Sequence, residues 1–138
     1  MLALADEPYR GHDSYYSWLT SLFRGKRELL AAGLRRAGMV PMRGHGGFFL
    51  MADTSALAVP QRYLDEVTPA APDGVTRDWA LCRWLAAEAG VIAIPTSPFF
   101  SAANKHLASN YVRFAFCKSD ATIEEACRRL EALAASHD

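Results

Sequence analysis

Tyr111-Val112-Arg113-Phe114-Ala115-Phe116 alternates as a half-buried β-strand should. Successive strand residues face opposite ways, so Val112, Phe114 and Phe116 share one side and Tyr111, Arg113 and Ala115 the other. The Val/Phe side reads as core. Upstream, Val91–Ile94 reads as a buried strand closed by Pro95, and the loop between the two strands carries turn signals at Ser97-Pro98 and Asn104-Lys105. Downstream, Thr122-x-x-Glu125 has the form of a capping box. It predicts a helix to about Ala135 with Ile123, Ala126, Cys127, Leu130 and Leu133 on one face.

Farther out, Thr76 is the expected cap of a helix over Arg77–Ala89, with Trp79, Cys82, Leu85, Ala86 and Ala89 inward and Gly90 ending it. Asp53–Gly74, with Pro60, Pro69 and Pro72, predicts an exposed irregular loop holding at most a short helical turn. Before it, Met39–Arg43 and Phe48–Ala52 are short apolar runs joined by Gly44-His45-Gly46-Gly47, the pattern of a hairpin. The longest periodic segment follows Pro8 and Gly11. Asp13 or Ser14 is its expected N-cap, and Tyr15, Trp18, Leu19, Leu22, Leu29, Leu30, Leu34 and Ala37 recur at helical steps. Arg24, Lys26, Arg27, Glu28, Arg35 and Arg36 fall largely opposite, and Gly38 suits the left-handed position past the helix end. The order α-β-β-loop-α-β-β-α predicts a small α/β (α+β) layer, about four strands covered on one side by three helices.

The chain of 138 residues is one domain's length, and its 51% hydrophobic and 22% charged composition excludes disorder. Lys+Arg 15 and Asp+Glu 15 cancel, which argues against a nucleic-acid binder. No apolar run approaches the ~20 residues of a membrane helix. Cys82, Cys117 and Cys127 are odd in number and lack metal or redox spacing, so they read as reduced, buried thiols of an intracellular protein. Met1–Asp6 lacks the basic flank of a signal peptide and resembles the tail of a helix that begins earlier.

Few residues could carry chemistry. Arg113, on a rigid strand and away from the core side, could grip a carboxylate with two parallel hydrogen bonds. Taken by itself, the plainer reading of a solvent-facing arginine outweighs that one. Gly46-Gly47 could admit a ligand close to backbone, yet alone the pair is a turn and matches no phosphate-binding fingerprint. His12, His45, His106 and His137 are scattered without ligand spacing, which argues against zinc. Cys82 and Cys127 read as small core residues, and Glu124-Glu125 as a favourable charge near a helix start. Lys26, Lys105 and Lys118 lack the apolar surroundings a Schiff-base lysine needs.

Three segments together carry a resemblance: Gly46-Gly47-Phe48-Phe49-Leu50-Met51-Ala52-Asp53, then Gly90-Val91-Ile92-Ala93-Ile94-Pro95-x-Ser97-x-Phe99, then Tyr111-Val112-Arg113-Phe114-Ala115-Phe116-Cys117-Lys118. In order and separation they resemble the C-terminal third of class I/II aminotransferases, most of all the kynurenine–oxoglutarate transaminase (cysteine-conjugate β-lyase) group. Tyr15-Tyr16-x-Trp18-Leu19 and Lys26-Arg27 also fit, so the resemblance covers nearly the whole chain. It implies the aspartate-aminotransferase fold of pyridoxal-phosphate enzymes, with residues 13–138 as the small C-terminal domain and residues 1–12 as a remnant of a large-domain helix and linker. It places Arg113 at the substrate α-carboxylate, and Gly46, Gly47 and Phe99 at the substrate entrance. Thr96 and Pro98 depart from the family's commoner Pro-Gly-x-x-Phe form.

The resemblance also implies pyridoxal phosphate as cofactor, amino-acid and 2-oxo-acid substrates, a homodimer, and a cytoplasmic or mitochondrial enzyme. The Schiff-base lysine and the remaining cofactor contacts would lie before Met1. The chain alone is therefore expected to bind no cofactor and to be catalytically incomplete, with no catalytic residue of its own. The competing reading is a free-standing module that binds a carboxylate or a protein. A severed domain should leave part of Tyr15, Tyr16, Trp18 or Leu22 uncovered, whereas a module should carry polar residues there.

Overall fold

A computed structural model describes residues 7–69, 71–72 and 74–136. The helix stump expected at Met1–Ala5 and the residue His137 lie outside the described residues. Helix α1 (Tyr15–Arg36) opens on Ser14, whose hydroxyl accepts the Ser17 N–H while the Ser17 hydroxyl accepts the Ser14 N–H. It closes on Gly38 at φ +78°, with Met39 N–H returning to the Leu34 carbonyl and Gly38 N–H to that of Arg35. Only glycine takes that backbone conformation without a steric penalty. The chain then forms β1 (Val40–Pro41), β2 (Phe49–Asp53), a single turn α2 (Gln61–Leu64), α3 (Arg77–Trp84), β3 (Ile94–Pro95), β4 (Tyr111–Ala115) and α4 (Asp120–Ala135).

The strands form one antiparallel sheet in the order β1-β2-β4-β3. Register follows from alternation: Leu50 lies opposite Phe114 and Ala52 opposite Val112, all four buried on one face. Leu30, Leu34, Leu81, Trp84, Leu85, Ile123, Leu130 and Leu133 pack on that face from α1, α3, α4 and the turn after α3. The opposite face carries Phe49, Met51 and Asp53 beside Tyr111, Arg113 and Ala115, and none of these six is buried. The expected hairpin, the short turn in the 53–74 loop and the core side of the last strand are all present.

Four details differ from the sequence reading. The α3 segment passes into a π turn over Leu85–Ala89, and its inward residues include Asp78, Leu81 and Trp84, while Trp79 and Ala86 are exposed. A buried aspartate in an apolar stripe disguised the phase of that face, and the wider turn shifted it again. Thr76 occupies the cap position, but its hydroxyl bonds the Ser97 hydroxyl at 2.8 Å instead of capping the helix. Ile92 is 83% exposed between buried Val91 and Ala93, and the strand pairs only at Ile94–Pro95. Helix α4 begins one turn early. Ser119 is its cap, accepting the Thr122 N–H, and Glu125 sits a turn farther in, paired with Arg128 and Arg129.

The thiols divide as well. Cys82 and Cys127 are buried, but Cys117 is exposed, because it falls on the outward step just after the Phe116 core position. Burial pushes the Cys82 thiol up to about 12 and raises that of Cys127, which leaves both protonated. Among the described residues no helix is long and apolar enough to cross a membrane, and no three His, Cys, Asp or Glu group as metal ligands.

Candidate functional site

Arg113 occupies the middle of the open sheet face. It lies opposite Met51 of β2 on one side and Ile94 of β3 on the other. Phe49 is two residues before Met51 and therefore on the same face, at the diagonal position that long side chains reach. The Arg113 guanidinium carbon sits 4.3 Å from the Phe49 ring centroid and 4.8 Å from that of Phe99. Two phenyl rings thus hold one guanidinium, and each contact of this kind contributes about 0.5–1 kcal/mol when exposed and more when dry.

Arg113 Nε is buried and has no hydrogen-bond partner among the described residues, and no ion pair or hydrogen bond of its other nitrogens occurs among them either. A guanidinium has five N–H donors, and leaving them unpaired in a partly dry site is costly unless an acceptor arrives. The arrangement suits a planar anion with two oxygens. Nearby on this face, Asp53 is turned to its own chain: its carboxylate accepts the Ser55 N–H at 2.8 Å, and that bond holds its pKa below the ordinary range.

Phe99 arrives on a tight turn, Ser97–Phe99, that follows β3. The turn is seated on a carboxylate. Asp78 Oδ2 accepts the N–H groups of Thr96 and Ser97, each at 2.7 Å. The Thr96 hydroxyl donates to the Tyr111 carbonyl at 2.8 Å, tying the turn to β4 two residues from Arg113. The preceding residue, Arg77 at the start of α3, braces the loop beyond β2: its Nη2 donates to the Thr54 and Leu57 carbonyls at 2.7 Å each. Burial lowers the pKa of Arg77.

The structure therefore brings two of the expected site residues together, Arg113 and Phe99. Gly46 and Gly47 lie in the exposed hairpin loop before β2, Gly47 at φ +76°, with open space where a Cβ would stand at either position. No local pattern in the sequence marks Phe49 or Asp78 as a site residue. Phe49 adjoins Phe48, and only the register decides which of the two faces Arg113; Asp78 resembles an ordinary first-turn acid of a helix.

A family model of class I and II aminotransferases matches residues 2–130. The chain belongs to that family. Two curated members show how it stands within the family. A kynurenine–oxoglutarate transaminase of Dictyostelium discoideum is 33% identical over 112 residues, 81% of this chain and 26% of that protein. The methionine aminotransferase of Escherichia coli is 32% identical over 132 residues, 96% of this chain and 29% of that protein. Among solved structures, Bna3p of Saccharomyces cerevisiae superposes with a TM-score of 0.78 at 27% identity, covering 88% of this chain and 28% of its own. The fold is that of this aminotransferase family, and the chain spans about a quarter of the length of the relatives it matches.

Family members work with pyridoxal phosphate, which needs a lysine amine free to bond its aldehyde. Lys26 Nζ is held by the Asp120 carboxylate at 2.6 Å and the Lys118 carbonyl at 2.7 Å, and Lys105 and Lys118 are exposed. Lys26 is thus engaged by two oxygens, and the two exposed lysines lie open to solvent. What Arg113 offers on the open face is a forked donor for a carboxylate.

Proposed function

We propose that this chain is the substrate-closing C-terminal small domain of a pyridoxal-phosphate-dependent aminotransferase, and that Arg113 grips the α-carboxylate of the amino acid. The observation that carries the reading is the Arg113 guanidinium, clamped between Phe49 and Phe99 on an open sheet face with its donors unpaired among the described residues. Two parallel N–H···O bonds fix both the position and the tilt of a carboxylate. The flanking rings restrict water, which strengthens the charge pairing. Pinning that end of the substrate orients its Cα–H bond, and orientation is the contribution this domain makes. Gly46, Gly47 and Phe99 border the entrance.

The amino donor is an L-amino acid of kynurenine, glutamine or aromatic type and the acceptor a 2-oxo acid, a reading the Dictyostelium relative supports. Residues 13–138 make up the domain and residues 1–12 the linker to a large domain. That large domain holds the cofactor and the reactive lysine, and the complete enzyme is a homodimer. An exposed aromatic group favours this over a free-standing module. Tyr9, Tyr15, Tyr16 and Trp18 meet edge-on or tilted at the start of α1, three of them half-buried and Tyr16 51% exposed, a surface suited to covering by another body.

The reading is tested in two parts. Addition of pyridoxal phosphate and borohydride to the 138-residue chain should leave its mass unchanged, and a stoichiometric adduct at one lysine would sink the claim that the catalyst lies elsewhere. In the complete enzyme, Arg113→Lys should lower kcat/KM by roughly 30-fold or more, as expected when one member of a desolvated charge pair loses its forked geometry. An unchanged kcat/KM would refute the carboxylate role.

A further inference from the structure

We propose that Asp78 is a positioning residue for the Arg113 site: its buried carboxylate seats the Thr96–Ser97 backbone, which in turn places Phe99 over the guanidinium. Asp78 is 0% exposed, in the first turn of α3 and inside an otherwise apolar face. Burying a carboxylate is expensive unless donors meet it, and a leucine at such a place would serve a core better. Asp78 Oδ2 takes two backbone N–H groups at 2.7 Å, while Oδ1 is buried with no partner among the described residues. No ion pair of Asp78 occurs among the described residues. All of its hydrogen bonding there is spent on one turn of backbone.

That turn leads directly to Phe99. Thr96 receives Asp78 through its N–H and holds Phe99 through its carbonyl, which accepts the Phe99 N–H at 3.0 Å. Ser97 does the same for Phe100 at 3.1 Å, and its hydroxyl is hydrogen-bonded to that of Thr76 at 2.8 Å. The Thr96 hydroxyl fixes the other side, on the Tyr111 carbonyl. Phe99 itself is 63% exposed, so packing does little to hold its ring on Arg113. The turn must hold it, and a charge-assisted pair of hydrogen bonds is a stiff anchor for a turn. The inference rests on the reading that Arg113 receives a carboxylate.

Asp78→Asn keeps the shape and one acceptor but loses the charge, and it separates positioning from packing. In the full chain the Arg113 Nε–H proton resonance should lie upfield, shielded by both rings. Asp78→Asn should move that resonance toward its position in Phe99→Ala, with Phe99–Arg113 nuclear Overhauser contacts weakened and Phe49–Arg113 contacts retained. With pyruvate as probe, the dissociation constant should rise about 5- to 10-fold in either variant. The double variant should be no weaker than Phe99→Ala. Retained Phe99–Arg113 contacts in Asp78→Asn would overturn the proposal, as would loss of the whole fold, which would make Asp78 a core-stability residue. Phe99→Ala is exposed enough to fold in any case and sets the reference values. Arg113→Lys separates the two levels: unchanged pyruvate binding there refutes the carboxylate reading, whereas the ring contacts judge the placement of Phe99.

Discussion

Gly33 and Gly25 offer a paired test of how the helices carry the sheet. Both are interior positions of α1, and both would gain helix propensity from alanine, about 0.8–1.0 kcal/mol each. Their surroundings differ. A Cβ at Gly33 would lie 2.1 Å from Sγ and 2.4 Å from Cβ of Cys127 in α4, whereas at Gly25 it would meet nothing within 4 Å. Comfortable contact between such atoms needs about 3.5–4.0 Å, so α1 and α4 must part by roughly an ångström or more at this point. Forcing an extra methyl group into a packed core costs about 1–3 kcal/mol. Because the propensity gain is common to both sites, Gly25→Ala minus Gly33→Ala measures that overpacking cost directly.

The expected ranking is Gly25→Ala above wild type, and Gly33→Ala below Gly25→Ala by about 1–3 kcal/mol. Urea unfolding followed by helical circular dichroism reads it, provided the slope m stays constant. Cys127→Gly removes both crowding atoms, so Gly33→Ala/Cys127→Gly should relieve the clash, the propensity gained at 33 roughly offsetting that lost at 127 and leaving the lost burial of the Cys127 side chain as the main cost. Equal stability of Gly33→Ala and Gly25→Ala would refute the close approach of α1 and α4, and with it the packing described here.

Two further outcomes are expected. Arg77→Met removes the donors to the Thr54 and Leu57 carbonyls, and leaving those acceptors short should cost about 1–3 kcal/mol in urea unfolding; a change within about 0.5 kcal/mol would show that water replaces the guanidinium freely. Glu125, bonded by Arg128 and Arg129, has its carboxyl held down to about 2 from 4.5. A depressed folded pKa contributes stability that is full above 4.5 and lost as pH falls toward about 2. The stability of Glu125→Gln should therefore fall less steeply than that of wild type over this window, and parallel profiles would show that the pairs are screened out.

Some of this architecture was legible because a period is a local property. The β4 strand shows both its faces in six residues, and the apolar stripe of α4 needs no tertiary information. Elsewhere a non-local contact replaces the local rule. Asp78 breaks the α3 stripe because its partners lie some twenty residues on, at Thr96 and Ser97. Thr122 and Glu125 have capping spacing, yet Ser119 and Thr122 share that spacing and win the helix start, leaving Glu125 to two arginines. Cys117 looked like the other thiols because composition does not record on which step of an alternation a residue falls.

The sequence by itself determined the element order, the core side of the sheet, the strand that carries Arg113 and the aminotransferase resemblance. The first three rest on residue spacing along the chain, which no fold is needed to read, and the resemblance rests on the likeness of three motifs taken together. Only the tertiary structure decided that Phe49 and Phe99 clamp Arg113, that Asp78 seats the turn bearing Phe99, and that Gly33 alone of two similar glycines is crowded. Register between strands and distance between helices bring together residues far apart in the chain. Their chemistry exists only once the chain has paid the entropy of meeting.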